Sequence, residues 1–323
     1  MAKPKKKSNA KSKPTHSKKT ASKSGPSAAA LLVGRDDELR KILGCIGARR
    51  SVLLEGPVGV GKTHLAIAAT TKLGRPVFRI DGDSRYTEQK LTGWFDPPTV
   101  MKRGFVKEAF TDGPLVEAMR SGGILFINEL NRLPEGVQNV LLPALDEKKI
   151  ALPRLGEVRA KPEFMVIATQ NPKEFVATSH LSEAILDRFE LITIGYQSES
   201  EEFAIVHARV LEGFDLESGA DLIARAAVRL ARATRGHPRI RRGASIRAAL
   251  AVAELTAVFL REGAEFRQAF HDAARMALPT RIELEREGAG DRSLAEDMES
   301  LLDELADDTL GNLDRPESEK KKD

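Results

Sequence analysis

Cysteine is almost absent from this chain: Cys45 is the only one in 323 residues. That excludes an intrachain disulfide and a cysteine-rich metal site, and it suits a reducing, cytoplasmic compartment. A membrane-spanning run is missing too. The longest apolar stretch, 248–260, is interrupted by Glu254 and falls short of the roughly 20 residues that a bilayer requires. The N-terminus has no apolar segment of the kind a secretory signal needs. Acidic side chains are missing from residues 1–30, which hold nine lysines. The formal charge of +4 therefore belongs to that tail, and the rest of the chain, with 42 basic against 47 acidic residues, is mildly acidic. Residues 1–27, rich in Lys, Ser, Pro and Ala, have the composition of a disordered segment. Two readings of it stay open: a solubilising extension, or an arm that binds nucleic acid or an acidic partner through charge. Pro4–Lys7 also has the form of a short nuclear-import signal.

The chain is poor in aromatics yet 41% hydrophobic, enough for a sizeable core, and its length suits about two domains. The most informative stretch is Gly56, Pro57, Val58, Gly59, Val60, Gly61, Lys62 and Thr63, which fits the phosphate-binding loop G-x-x-x-x-G-K-[ST]. An apolar run, Ser51–Glu55, precedes it as a strand should, and His64 opens a helical pattern after it. Glycines let the backbone turn its N–H groups around an anion, and the helix N-terminus adds partial positive charge. In such a loop the lysine, here Lys62, reaches the β- and γ-phosphates, and the hydroxyl, here Thr63, holds Mg²⁺.

Further near-continuous apolar runs at 77–80, 123–128, 164–169 and 191–194 alternate with helical patterns. That is the signature of a parallel sheet covered on both faces. After Tyr196 the strand pattern stops, and 199–211, 220–234, 243–261 and 264–276 have helical periodicity. Beyond Gly288 the chain is polar and acidic, with one possible helix at 294–305. The run 124–128 ends at Asn128-Glu129. A strand end places two adjacent side chains at the mouth of a sheet, where one can hold Mg²⁺ and the other activate water. Asn128 offers that metal an amide oxygen without charge, and Glu129 is the candidate base.

Taken together, these segments resemble AAA+ ATPases of the MoxR group, from about Val33 to Leu250. Val33-Gly34-Arg35 resembles the segment near the adenine, and 125–132 resembles the Walker B strand and following helix, with Asn128 where the family usually carries Asp. Residues 167–172 resemble the sensor 1 strand, 181–189 the arginine-finger segment, and 243–250 the sensor 2 helix. The resemblance implies a five-stranded AAA+ α/β domain at 28–197, an all-α lid at 198–287, and polar tails at 1–27 and 288–323. It implies ATP and Mg²⁺ as ligands, with Asn171 orienting water or the γ-phosphate, Arg188 reaching a neighbour's nucleotide in trans, and Arg247 contacting phosphate in cis. Taken alone, Asn171-Pro172 is also a plausible turn. Arg239, Arg241 and Arg242 read either as a solvated face or as a nucleic-acid contact. Segments 91–115 and 148–161 match the position of the family's helix-2 insert and pre-sensor-1 hairpin, making Trp94, Phe95, Met101 and Phe105 candidate contacts, with Phe105 expected to pack inside its own insert. The implied activity is ATP hydrolysis in a ring, hexameric by resemblance, that remodels a protein client, often with a von Willebrand factor A-domain partner. A nucleic-acid motor or loader, and a slow-hydrolysing nucleotide-gated scaffold, are the alternatives.

Removing residues 1–27 should abolish nonspecific DNA binding while leaving the thermal midpoint and ATP affinity unchanged, because a lysine-rich disordered segment adds nothing to a core. Calorimetry and a salt-dependent DNA-binding assay on the truncated chain check this.

Overall fold

The computed structural model describes residues 32–171, 181–214, 219–285 and 293–313. The lysine-rich tail and Pro172 lie outside the described residues. In chain order, the first part comprises α1 (Asp36–Gly47), β1 (Val52–Glu55), α2 (Lys62–Leu73), β2 (Val77–Asp81), α3 (Glu88–Thr92), β3 (Gly93–Phe95), α4 (Pro97–Arg103), β4 (Phe110–Asp112), α5 (Pro114–Ser121), β5 (Ile124–Asn128), α6 (Glu135–Asp146), β6 (Lys149–Leu152), β7 (Gly156–Arg159), β8 (Met165–Gln170), α7 (Glu183–Leu186) and β9 (Glu190–Thr193). The second comprises α8 (Glu199–Phe214), α9 (Ala220–Gly236), β10 (Ile240–Arg242), α10 (Ile246–Arg261), α11 (Phe266–Ala277), β11 (Glu283–Leu284) and α12 (Leu294–Gly311).

The five apolar runs form one parallel sheet in the order β2-β5-β8-β1-β9. Successive strand side chains point to opposite faces, so the three inner runs, β1, β5 and β8, each feed two cores. Val52, Leu54, Ile124, Phe126, Met165 and Ile167 pack with Ile42 of α1 and with Leu65, Ala66 and Ala69 of α2. Leu53, Leu125, Ile127, Val166 and Ala168 pack on the other face with Leu91, Leu115, Met119 and Leu141 of α3, α5 and α6. Burial on both faces is why β1, β5 and β8 show no polar alternation, whereas the edge strands β2 and β9 bury one face and leave Val77, Arg79 and Leu191 exposed.

Both expected insertions are present. β3 and β4 pair antiparallel around α4, and β6 and β7 form a hairpin. Phe95 meets Phe105 and Phe110 edge-on, at ring distances of 5.1 and 5.0 Å, so Phe105 does pack within its insert while remaining half exposed. The Arg154 guanidinium, on the hairpin turn, stacks on the Phe105 ring at 3.5 Å and joins the two insertions. Trp94 and Met101 are exposed.

The helical part has its own core, built mostly from alanines of α9, α10 and α11 with Phe270 and Val252. Small side chains let these helices approach closely. Two expectations are corrected here. The strand pattern does not end at Tyr196: β10 and β11 make a short antiparallel pair that ties the α9–α10 connection to the chain after α11. Nor do residues 288–323 form only a polar tail. Ser293 and Glu296 make a reciprocal capping box that starts α12, and Leu301, Leu302, Leu305 and Ala306 are buried in the helical core. Their spacing places one apolar stripe on an otherwise acidic helix, and the acidic majority hides that stripe in composition.

Leu301→Ala should therefore destabilise the fold by about 2–5 kcal/mol, the usual cost of truncating a buried leucine. Urea denaturation showing less than about 0.5 kcal/mol, the surface value, would return α12 to the status of a solvated tail.

Candidate functional site

In an open parallel sheet, every loop that leaves a strand end emerges at the same edge. The register sets Glu55 opposite Gln170 and Asp81 opposite Asn128, so the ends of β1, β8, β5 and β2 bring Gly56–Thr63, Asn171, Asn128-Glu129 and Asp81 together. The loop after β1 bends through Gly59 and Gly61, with φ of +84° and +89°, a region that glycine enters without steric cost. Gly61 caps α2. A Cβ at Gly56 would lie 2.1 Å from the Ile194 carbonyl oxygen, and one at Gly59 would lie 2.3 Å from the Ser245 side chain. The loop is thus clamped between the end of β9 and the start of α10. The backbone N–H groups of Gly61, Thr63 and His64 meet no backbone acceptor among the described residues, the ordinary condition of a helix N-terminus and the reason such an end attracts anions.

Lys62 is 8% exposed. Its Nζ donates to the Gly56 and Pro57 carbonyls at 2.7 and 2.8 Å and to Asn171 Oδ1 at 2.5 Å. Thr63 Oγ1 donates to Asn128 Oδ1 at 3.0 Å, and Thr169 Oγ1 donates to the same oxygen at 3.1 Å. The Asn128 Nδ2 donates to Asp81 Oδ1 at 3.0 Å. Glu129 has φ +59°; its N–H donates to Thr169 Oγ1 and its carboxylate pairs with Arg132 at 2.8 Å. The Arg79 guanidinium beside Asp81, helped by the Asn128 amide, holds that carboxyl below the usual carboxylate range. Val58 and His64 lie exposed on the outer side of the loop, and Val60 is buried beneath it.

Two sequence-derived residues behave differently. Arg247 sits exposed on the first turn of α10, two residues past the Ser245 that abuts Gly59. Arg188 is not part of this edge. Glu190 pairs with Val52 at the amino end of β1, so Arg188 lies at the opposite end of the sheet from Lys62. There its guanidinium binds Asp146 at 2.5 and 2.7 Å. It lines a cleft of about 460 Å³ together with Arg49, Arg50, Lys148, Asp146 and Asp187. Arg239, Arg241 and Arg242 make long or exposed ion pairs to Asp297 and Glu283.

The sequence alone did not point to the supports of this site. Arg35 is buried; it donates to the Val60 carbonyl at 3.1 Å and the Gly195 carbonyl at 2.7 Å and so pins the phosphate loop to the strand beside it. Glu202 of α8, 2% exposed, binds Arg235 at 2.8 and 3.1 Å. Arg235 in turn donates to the Ala244 carbonyl, one residue before the Ser245 that faces Gly59. Asp81 directly follows the apolar run 77–80 and has no distinguishing local signal. Only the pairing of β2 with β5, far apart in sequence, makes it a neighbour of Asn128.

The donors fit a polyphosphate: a positive-φ glycine loop, a buried ammonium and a helix N-terminus face one region. The oxygens of Thr63 and Asn128, with the Asp81 carboxylate behind the Asn128 amide, fit a hard cation such as Mg²⁺. The described residues contain no group of three His, Cys, Asp or Glu placed to hold a metal, so a cation here needs phosphate oxygens as co-ligands, as Mg²⁺ commonly does.

A phosphate loop on a parallel sheet of this strand order, with an all-helical part closing over the loop, defines a P-loop protein with the AAA+ fold. Residues 51–189 match the AAA domain (dynein-related subfamily). The chain is similar to gas vesicle ATPase GvpN of Ancylobacter aquaticus, at 29% identity over 69% of this chain and 65% of that protein. It is also similar to GvpN of Haloferax mediterranei, at 32% identity over 54% of each. It thus spans less than two thirds of the length of these curated relatives. A mutant of RuvB from Thermotoga maritima shares the fold, with a TM-score of 0.54 at 17% identity, over 78% of this chain and 73% of that one. No helix among the described residues is long and apolar enough to cross a membrane.

Removing one partner of a buried ion pair strands the other and costs about 3–5 kcal/mol. Glu202→Ala should show this loss in urea unfolding. It should also weaken ATP binding, because Arg235 then no longer fixes the start of α10 against Gly59. Unchanged nucleotide affinity in the folded variant would sever that link.

Proposed function

We propose that this chain is an Mg²⁺-dependent ATPase of the MoxR type, working as a homo-oligomeric ring, hexameric by resemblance, that remodels or matures a protein client. The observation that carries the reading is the convergence of Lys62, Thr63, Asn128 and Asn171 on the region facing the phosphate loop, across three strands. In this reading Gly56–His64 cradle the phosphates and Lys62 leaves part of its carbonyl cage to meet the β- and γ-oxygens. Asn171, already in contact with the Lys62 ammonium, orients the attacking water or the γ-phosphate. Glu129 accepts the proton of that water once its carboxylate is released from Arg132, and Arg247 closes on the phosphates from the lid. Thr63 and Asn128 would hold Mg²⁺, which would supply positive charge to offset the charge that develops on the transferring phosphoryl group.

Ring assembly follows from Arg188. It stands at the far end of the sheet from its own loop, so it can serve catalysis only in a neighbour's site, where an arginine stabilises charge on the transferring phosphoryl group. The cationic cleft around it, with Arg49, Arg50 and Lys148, favours docking of an anionic partner surface. The exposed Trp94 and Met101 on the insert, and the hairpin joined to it through Arg154 and Phe105, are the proposed client contacts. The relatives' name suggests gas vesicle proteins as one client class, and the MoxR resemblance suggests a von Willebrand factor A-domain partner. Asn128, an amide in place of a carboxylate, makes slow turnover an expected property. A nucleic-acid motor is the second reading, favoured by the nine lysines of residues 1–30; DNA-stimulated hydrolysis with steep salt dependence would select it.

Arg188→Ala should leave ATP affinity nearly unchanged and lower hydrolysis on the order of 10³-fold, as for other supplied arginines. Wild-type specific activity should rise with protein concentration as the ring forms. A monomer that hydrolyses ATP at the full rate, with or without Arg188, would overturn the ring model.

A further inference from the structure

We propose that Asp81 and Asn128 act as a split replacement for one carboxylate: Asn128 presents the ligand oxygen, and Asp81, on the neighbouring strand, supplies the negative charge and fixes the amide's orientation toward the cation. This rests on the reading of the site as one for ATP and Mg²⁺. β2 and β5 pair so that Asp81 stands directly opposite Asn128. The amide is held from both ends. Its nitrogen donates to Asp81 Oδ1 at 3.0 Å, while its oxygen accepts from the hydroxyls of Thr63 and Thr169 at 3.0 and 3.1 Å. Turned the other way, the amide would put its NH₂ toward Thr63 and the cation, and its oxygen against a carboxylate. The Thr63 hydroxyl could accept from that NH₂, but the NH₂ facing the cation and the oxygen facing the carboxylate would both be repulsive, so Asp81 selects the orientation that offers an oxygen to the metal.

The backbone holds this pair in register. The Gly82 N–H donates to the Asn128 carbonyl at 2.7 Å, and a Cβ on Gly82 would lie 2.0 Å from the Glu129 carbonyl oxygen. The turn after Asp81 is therefore fitted against the Asn128-Glu129 peptide and cannot slide. Arg79 donates to the same Asp81 Oδ1 at 2.7 Å and to Oδ2 at 3.2 Å, which fixes the carboxylate in place. The arrangement has the logic of a ligand tuned by a hydrogen-bonded carboxylate behind it, which raises the electron density of the donor atom and locks its direction. Asp81 is thus a positioning residue, acting through Asn128.

The test measures metal-dependent nucleotide binding rather than turnover, using a fluorescent ATP analogue titrated in EDTA and then with Mg²⁺. Asp81→Asn is isosteric and sits at a largely exposed side chain, so the thermal midpoint and the EDTA affinity should stay at the wild-type level. The Mg²⁺ concentration that half-maximally tightens nucleotide binding should rise about tenfold or more, as when other outer-shell partners of metal ligands are removed. Adding Asn128→Asp to that variant moves the carboxylate one strand over and should restore the wild-type Mg²⁺ response. An unchanged Mg²⁺ response in Asp81→Asn, or a double variant as impaired as the single one, would overturn the proposal and reduce Asp81 to a surface partner of Arg79. Failure of the underlying reading looks different: the wild-type chain would then bind no nucleotide in EDTA or in Mg²⁺, and Lys62→Ala would change nothing.

Discussion

Lys62 carries a charge into a nearly closed site, and the oxygens that receive it come from two parts of the chain, Gly56 and Pro57 in its own loop and Asn171 more than a hundred residues later. A buried ammonium is tolerated only where its protons are met. This requirement draws the ends of β1 and β8 together and dictates much of what surrounds them. The loop must turn so that its carbonyls face inward on one side while its N–H groups face outward on the other, which calls for the positive-φ glycines. β8 must deliver a neutral oxygen rather than an apolar side chain at its last step. Because both strands lie in the middle of the sheet, neither can shift without disturbing two cores.

The same edge is wired to the helical part through polar contacts, not through a shared apolar core. The cores of the α/β part and the helical part are separate clusters. Between them run the Arg232 guanidinium to the Gln197 carbonyl at 3.2 Å and the Arg235 guanidinium over the Tyr196 ring at 4.0 Å, while Arg35 to Val60 and Gly195 braces the loop from the α/β side and Glu202 to Arg235 to Ala244 braces it from the helical side. Directional hydrogen bonds of this kind hold two bodies in a definite relation while burying little apolar area. Such a junction suits a lid whose position answers to what occupies the loop beneath it.

The hydroxyl and amide network around Asn128 shows how a sheet can redistribute chemistry between strands. Thr63, Thr169, Asn128 and Asp81 lie on four elements and form one chain of hydrogen bonds. Every donor in it has an acceptor, so a site that carries an amide where a carboxylate is customary is nonetheless fully satisfied. Asn131, one turn further on, has a buried Oδ1 with no partner among the described residues.

The five strands, the order of motifs and the two insertions were legible because each is a local pattern: continuous apolar runs for strands buried on both faces, a glycine-lysine loop between strand and helix, and a hairpin flanked by turn residues. The same local logic found a helix at 294–305 but not its burial in the helical core, because Leu301, Leu302 and Leu305 are outnumbered by acidic neighbours, and it missed β10–β11, two or three residues long and stable only as a pair. It could not reach Arg35, Glu202 or Asp81 in their roles, since an arginine before a helix, a glutamate on one and an aspartate at a strand end are ordinary surface residues until something distant packs against them. The sequence by itself determined which residues can bend, bury and carry charge. Tertiary structure decided which of those charges meet, because hydrogen bonds act over about 3 Å and only the parallel order of the strands brings residues a hundred positions apart within that distance.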